Sequence, residues 1–139
     1  MKTLILFISL IITYNSAYAE EDLRELVEFP AMMQEHMMGN MRDHLLTINR
    51  IQLYLANDKM DEAAQLAESH LGMGSLKSHH AKMMSKFMPK AMAAIGTSMH
   101  KAATRFAMKC EEGDLLPAYK ALAEVTSACV ACHASYRIR

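Results

Sequence analysis

Apolar residues recur at steps of three and four along most of the chain, and strand-like alternating runs are absent, so the pattern predicts helices almost throughout. The first predicted helix opens near Pro30, a residue suited to a first turn, and runs to Ala56. Its stripe of Met38, Met41, Leu45, Ile48, Ile51 and Leu55 falls on one face. Asn57 and Asp58 make a turn, Asp58 is placed to cap a second helix to about Leu71, and Gly72 and Gly74 end that helix. A polar, methionine-rich stretch from Ser75 to Met88 leads to Pro89. The third predicted helix runs from Pro89 to about Cys110, with Met92, Ile95, Met99, Ala102, Phe106 and Cys110 aligned. After Glu111-Glu112-Gly113-Asp114 the last runs from Leu115 to Tyr136, aligning Leu116, Tyr119, Leu122, Val125, Cys129 and Cys132. Four amphipathic helices with short connections predict an all-α fold, an antiparallel four-helix bundle. The acidic stretch 20–29, with Glu20, Glu21, Asp22, Glu25 and Glu28, predicts no element.

The first residues change the picture of where the chain works. Lys2, an apolar run from Leu4 to Ile12 and the small-residue site Ala17-Tyr18-Ala19 form the pattern of a secretory signal peptide. Thr13, Tyr14 and Asn15 break the run well short of the roughly 20 apolar residues a membrane span needs. Cleavage after Ala19 leaves residues 20–139 as one domain. That domain is expected in a Gram-negative periplasm, with no stable membrane insertion after cleavage. Lys+Arg and Asp+Glu both total 15, a balance unlike that of a nucleic-acid binder.

The chemistry sits at the other end. Cys129-Val130-Ala131-Cys132-His133 is C-x-x-C-H, the attachment sequence of c-type haem. Two thiols three residues apart share a helix face, from which they can add to the two vinyl groups of one haem. The adjoining His133 then offers a ring nitrogen to the iron as proximal ligand. A thioredoxin-like C-x-x-C would follow a βαβ pattern, and a zinc site would need a second ligand pair at finger-like spacing; the sequence carries neither. The third cysteine, Cys110, continues the stripe of the third helix and reads as a buried thiol, with an intermolecular disulfide as the alternative.

The motif lies close to the C-terminus, on the last helix. With the terminal CVACHASYR, the Gly113-Asp114 turn and DEAAQLA on the second helix, the chain resembles the class II c-type cytochromes, the cytochrome c′ and cytochrome c-556 family. The resemblance implies a four-helix bundle holding one covalently bound haem c. It also implies frequent homodimers and no enzymatic turnover. In the family, an Arg on the first helix is followed four residues later by the residue over the distal face of the haem. Counting back from DEAAQLA places Gln34 at the Arg position and Met38 at the distal one, with Met37 or Met41 if the register slips and His36 as a weaker candidate. With Met as sixth ligand the family carries electrons; with an apolar non-ligand it binds NO or CO. The family Arg touches a haem propionate; Gln34 could hydrogen-bond there without charge, and Arg137 matches the family's basic residue. The implied role is single-electron transfer with periplasmic redox proteins, and the alternative is gas binding.

The chain has 14 methionines, more than ligation needs, and Met is a common filler of irregular cores. His79, His80, Met83 and Met84 nevertheless cluster at helical spacing, and His36 sits among Met32, Met33, Met37 and Met38. Thioethers with imidazoles suit Cu(I), so a copper-binding protein is the third reading. Lys86, Lys90, Lys101, Arg105 and Lys109 fall along one side of the third-helix region, a solvated face that could also steer an acidic redox partner.

Overall fold

The computed structural model describes residues 21–139, so the expected signal peptide, 1–19, lies outside the described residues. Helices dominate, as the periodicity predicts: α1 (Ala31–Ala56), α2 (Met60–His70), a short α3 (Ala81–Met84), α4 (Lys90–Glu111) and α5 (Leu115–Ser135). Single 3-10 turns at Met73–Leu76 and Ser85–Phe87 flank α3. The chain is therefore all-α in class. The one addition is a parallel pair of two-residue strands, β1 (Glu25–Leu26) and β2 (Tyr136–Arg137), with Glu25 opposite Tyr136. The Val27 N–H extends the pairing by donating to the Arg137 carbonyl at 2.8 Å. This pairing ties the acidic N-terminal stretch to the chain end that follows the C-x-x-C-H segment.

Pro30 and Pro89 each stand immediately before a helix in extended backbone, where the missing N–H costs nothing. Asp114 accepts the Leu116 N–H at 3.3 Å and caps α5. An Asp114→Ala variant is expected to lose about 1 kcal/mol of stability, read as a lower urea midpoint at unchanged m-value. The expected cap at Asp58 is not observed. Asp58 adopts a left-handed conformation (φ 57°) and hands the start of α2 to Lys59. Its N–H instead closes the end of α1 by donating to the Leu55 carbonyl, and Asp is one of the few residues that tolerates that backbone. Gly113 serves the turn into α5 the same way at φ 78°. At Gly72 the requirement is space, since a Cβ would stand 2.2 Å from the Glu68 carboxylate and 2.9 Å from its Cα. That carboxylate is occupied: it accepts the Gly74 N–H at 2.8 Å and the Thr104 hydroxyl at 2.6 Å, joining the end of α2 to α4.

Helix α1 packs on α2, α2 on α4, and α4 along α5. The main core gathers Ile51, Leu55, Ala63, Ala67, Leu71, Ala103, Phe106, Cys110, Ala118, Leu122 and Val125. Alanines on α2, α4 and α5 let the backbones approach around Phe106, which is fully buried. Helix α5 is apolar and long enough to cross a membrane, yet its Ala118, Ala121, Leu122 and Val125 are buried in this core. A second, smaller cluster sits at the β1–β2 end, where Met33, Met37 and Met84 pack with Phe29, Met41, Met88 and Ile138.

Two expected faces are rotated. On α1 the buried residues are Met33, Met37, Thr47, Ile51 and Leu55, while Leu45 is 74% exposed. The helix carries apolar side chains on more than one face, and the contacts with α2 and the second cluster decide which is buried. On α5, Leu122 and Val125 are buried as expected, but Leu116 and Tyr119 are exposed, because the buried face there runs through Ala118 and Ala121 instead. The stripe of α4 holds, with Met92, Met99, Ala102, Phe106 and Cys110 buried.

Candidate functional site

Helix α5 ends where its backbone is captured by a neighbour. Tyr136 turns extended (φ −129°, ψ 147°) and enters β2, while its N–H still reaches the Cys132 carbonyl. The last turns therefore hold Cys129, Cys132 and His133 in helical spacing against a fixed end. Cys129 and Cys132 are half-buried on one face, with Cys129 and Ala128 packed against the main core. His133 is exposed, and its carbonyl accepts the Arg24 guanidinium at 3.3 Å.

All three cysteines are free thiols. Burial raises the thiol pKa of Cys129, and burial together with Cys129 raises that of Cys132. A redox-active C-x-x-C works the opposite way: it lowers a thiol pKa, commonly at a helix N-terminus. Here both thiols lie in the last turns of a helix, where the carbonyl dipoles disfavour thiolate. The strands are two residues long, so the described residues contain no βαβ unit either. Cys110 is 1% exposed and burial pushes its thiol up to about 11, which describes an inert core residue and leaves nothing for an intermolecular disulfide to reach.

Of the residues expected around the motif, Gln34 and Arg137 meet at the chain end that follows it. Met38 is half-buried, one position away from buried Met37, and stands outside both core clusters. Gln34 is spent on the chain end, its side-chain amide donating to the Ile138 carbonyl. Arg137 lies in β2 with its Nε 3.7 Å from Asp22 Oδ2, and that Nε is buried without a hydrogen-bond acceptor. Asp22 is held down to about 2, chiefly by the hydrogen bond from Arg24. Two thiols on one face, an exposed imidazole beside them and an unpartnered guanidinium N–H are a donor set that fits a c-type haem with its propionates. Of the methionines raised as copper ligands, Met33, Met37 and Met84 are core filler, while Met32 and Met83 face solvent.

Sequence reasoning missed a second gathering. His44 on α1, His79 before α3 and His100 on α4 stack with ring centroids 4.9 Å (His44–His79), 5.6 Å (His79–His100) and 6.3 Å (His44–His100) apart. His79 and His100 are 9% and 8% exposed. The His44 Nε2 is buried and unpartnered, which costs about 1–3 kcal/mol when no water reaches it. Burial, then repulsion from His79 and His100, lowers the His44 pKa to about 4; His133 adds a smaller push and Asp43 opposes it. Burial also lowers His79. A signal was present: His44 stands seven residues from both Met37 and Ile51, a spacing that keeps all three on one face. Nearby, His80 Nδ1 lies 3.1 Å from His36 Nε2, which also reaches the His79 carbonyl at 3.2 Å and so joins this pair to the other three histidines.

Compared with known proteins, the chain matches no family model, and neither curated proteins nor solved structures yield a match.

Proposed function

We propose that this chain is an exported c-type cytochrome with one haem, passing single electrons between larger periplasmic redox proteins. The observation that carries the reading is C-x-x-C-H on the final turns of α5, both thiols on one half-buried face and the imidazole exposed beside them. In this reading Cys129 and Cys132 are the thioether anchors and His133 the proximal ligand. The long helices then form an antiparallel bundle around the site. When bound, the haem supplies one-electron cycling between ferric and ferrous iron.

The chain's own part is to hold and shield. The core around Phe106 and Val125 fixes the helix that bears the anchors. The buried Met33, Met37 and Met84 keep the β1–β2 end dry, and a less polar surrounding disfavours the more highly charged oxidised state. The Arg137 Nε, lacking an acceptor of its own, offers a charged hydrogen bond to a propionate. Met38 is the proposed sixth ligand, and a Met/His pair raises the potential into the range of an electron carrier.

Absorption spectra of the purified protein, oxidised and dithionite-reduced, test this. Sharp, well-resolved bands on reduction, with a weak far-red charge-transfer band in the ferric form, are expected. Met38→Ala is expected to abolish that far-red band and let CO bind. A second reading, a five-coordinate gas-binding cytochrome, draws on the position of Met38 off the buried line of α1. Broad bands in the unmodified protein that shift with CO would favour it over the electron carrier.

A further inference from the structure

The cytochrome reading leaves three clustered histidines unused. The structure assigns them a role of their own: we propose that His44, His79 and His100 form a site for a divalent transition-metal ion of the zinc class, held through three imidazole nitrogens. The inference does not depend on haem.

The hydrogen bonds around the rings set which nitrogen each can offer. The Ser75 hydroxyl donates to the Gly72 carbonyl at 2.7 Å, so its oxygen is left to accept, and the His79 Nδ1 and the His100 Nδ1 each lie 3.4 Å from it. The His100 Nδ1 donates to the Leu71 carbonyl at 2.7 Å. His100 is thereby protonated at Nδ1 and carries its lone pair on Nε2. This is the outer hydrogen bonding that orients ligand imidazoles at metal sites. The His44 Nε2 is the third donor, buried and unclaimed.

The spacing also suits a metal. With a metal–nitrogen distance of about 2.0–2.1 Å, a ring centroid lies about 3.2 Å from the ion, and tetrahedral geometry separates two centroids by about 5.2 Å. The His44–His79 and His79–His100 separations of 4.9 and 5.6 Å bracket that value, and the 6.3 Å of His44–His100 must close by about 1 Å. Among the described residues no three donor side chains converge on a point as they stand, so binding requires the His44 and His79 rings to rotate toward the Nε2 of His100. Three imidazoles leave a fourth position for water, and imidazole without thiolate selects Zn(II), Ni(II) or Cu(II) over Cu(I).

The test is a calorimetric titration of the EDTA-treated mature protein with Zn(II), beside His44→Gln, His79→Gln and the control His36→Gln. Thiol sites are common to all four proteins and cancel in the comparison. The expected result is one site per chain in the unmodified protein, weakened about a hundredfold in both His44→Gln and His79→Gln and changed less than about twofold in His36→Gln. Circular dichroism identifies a variant that fails to fold, and the remaining one then decides. Absence of binding by the unmodified protein, or equal affinity in the folded variants, overturns the proposal and leaves the triangle to a buried water. Loss of binding in His36→Gln alone overturns it too, in favour of the exposed His36–His80 pair.

Discussion

A Cys129→Ala/Cys132→Ala double variant, exported under conditions that mature c-type haem, is expected to retain no haem through denaturing electrophoresis, whereas the unmodified protein stains strongly. The contrast is all-or-none because in the proposed cytochrome the two thioethers would be the covalent links; a histidine–iron bond does not survive denaturation. The single variants are informative in a different way. Cys129 packs against the main core, so Cys129→Ala also trims a packed side chain, while Cys132 is not among the residues packed there. Cys132→Ala is therefore expected to keep one thioether at little cost in stability. An unmodified protein that never stains would remove the cytochrome reading outright. Retained stain in the double variant would place the attachment elsewhere.

Lowering the pH from 7 to 4 is expected to destabilise the metal-free protein by roughly 2–3 kcal/mol through His44 alone. The sign follows from which state binds more protons. His44 titrates at about 4 in the folded chain against an ordinary value of 6.5. Between those values the unfolded chain is protonated there and the folded chain is not, so stability rises with pH across the window. The contribution is fully present above pH 6.5 and is lost as the pH falls to about 4. The cause is burial first, then the neighbouring His79 and His100, with Asp43 too weak an opposite charge to compensate. The lowered His79 adds in the same direction. Urea unfolding at pH 7, 5.5 and 4.5 should show a steep fall for the unmodified protein and a shallower one for His44→Gln. Parallel pH profiles in the two proteins would mean that His44 is not titrated by burial at all.

Both predictions begin from residues that differ in how easily they could be read. The Cys129–His133 motif is contiguous, and its chemistry needs only the spacing of one helix, which the Asp114 cap and the alanine-rich composition of α5 secure locally. The same holds for the starts of α1 and α4, marked by Pro30 and Pro89, and for the buried stripe of α4. Local signals are degenerate elsewhere. Helix α1 has methionine or leucine on several faces, so periodicity alone admitted both the Met38–Leu45 line and the Met37–His44–Ile51 line. Asp58 satisfies two rules at once, helix cap and left-handed turn, and the carbonyls ending α1 claimed its N–H. The β1–β2 pair is two residues long, below any pattern that alternation can mark.

The sequence by itself determined the helical class, the approximate bounds of the long helices and the C-x-x-C-H spacing, because each depends on residues close to one another along the chain. Tertiary structure alone decided which face of α1 is buried, how Arg137 is placed beside Asp22, and that His44, His79 and His100 meet. Those outcomes depend on three chain segments converging. Whether a histidine is a solvated side chain or a neutral imidazole with an unclaimed lone pair depends on the water its neighbours exclude, and no spacing along the chain encodes that.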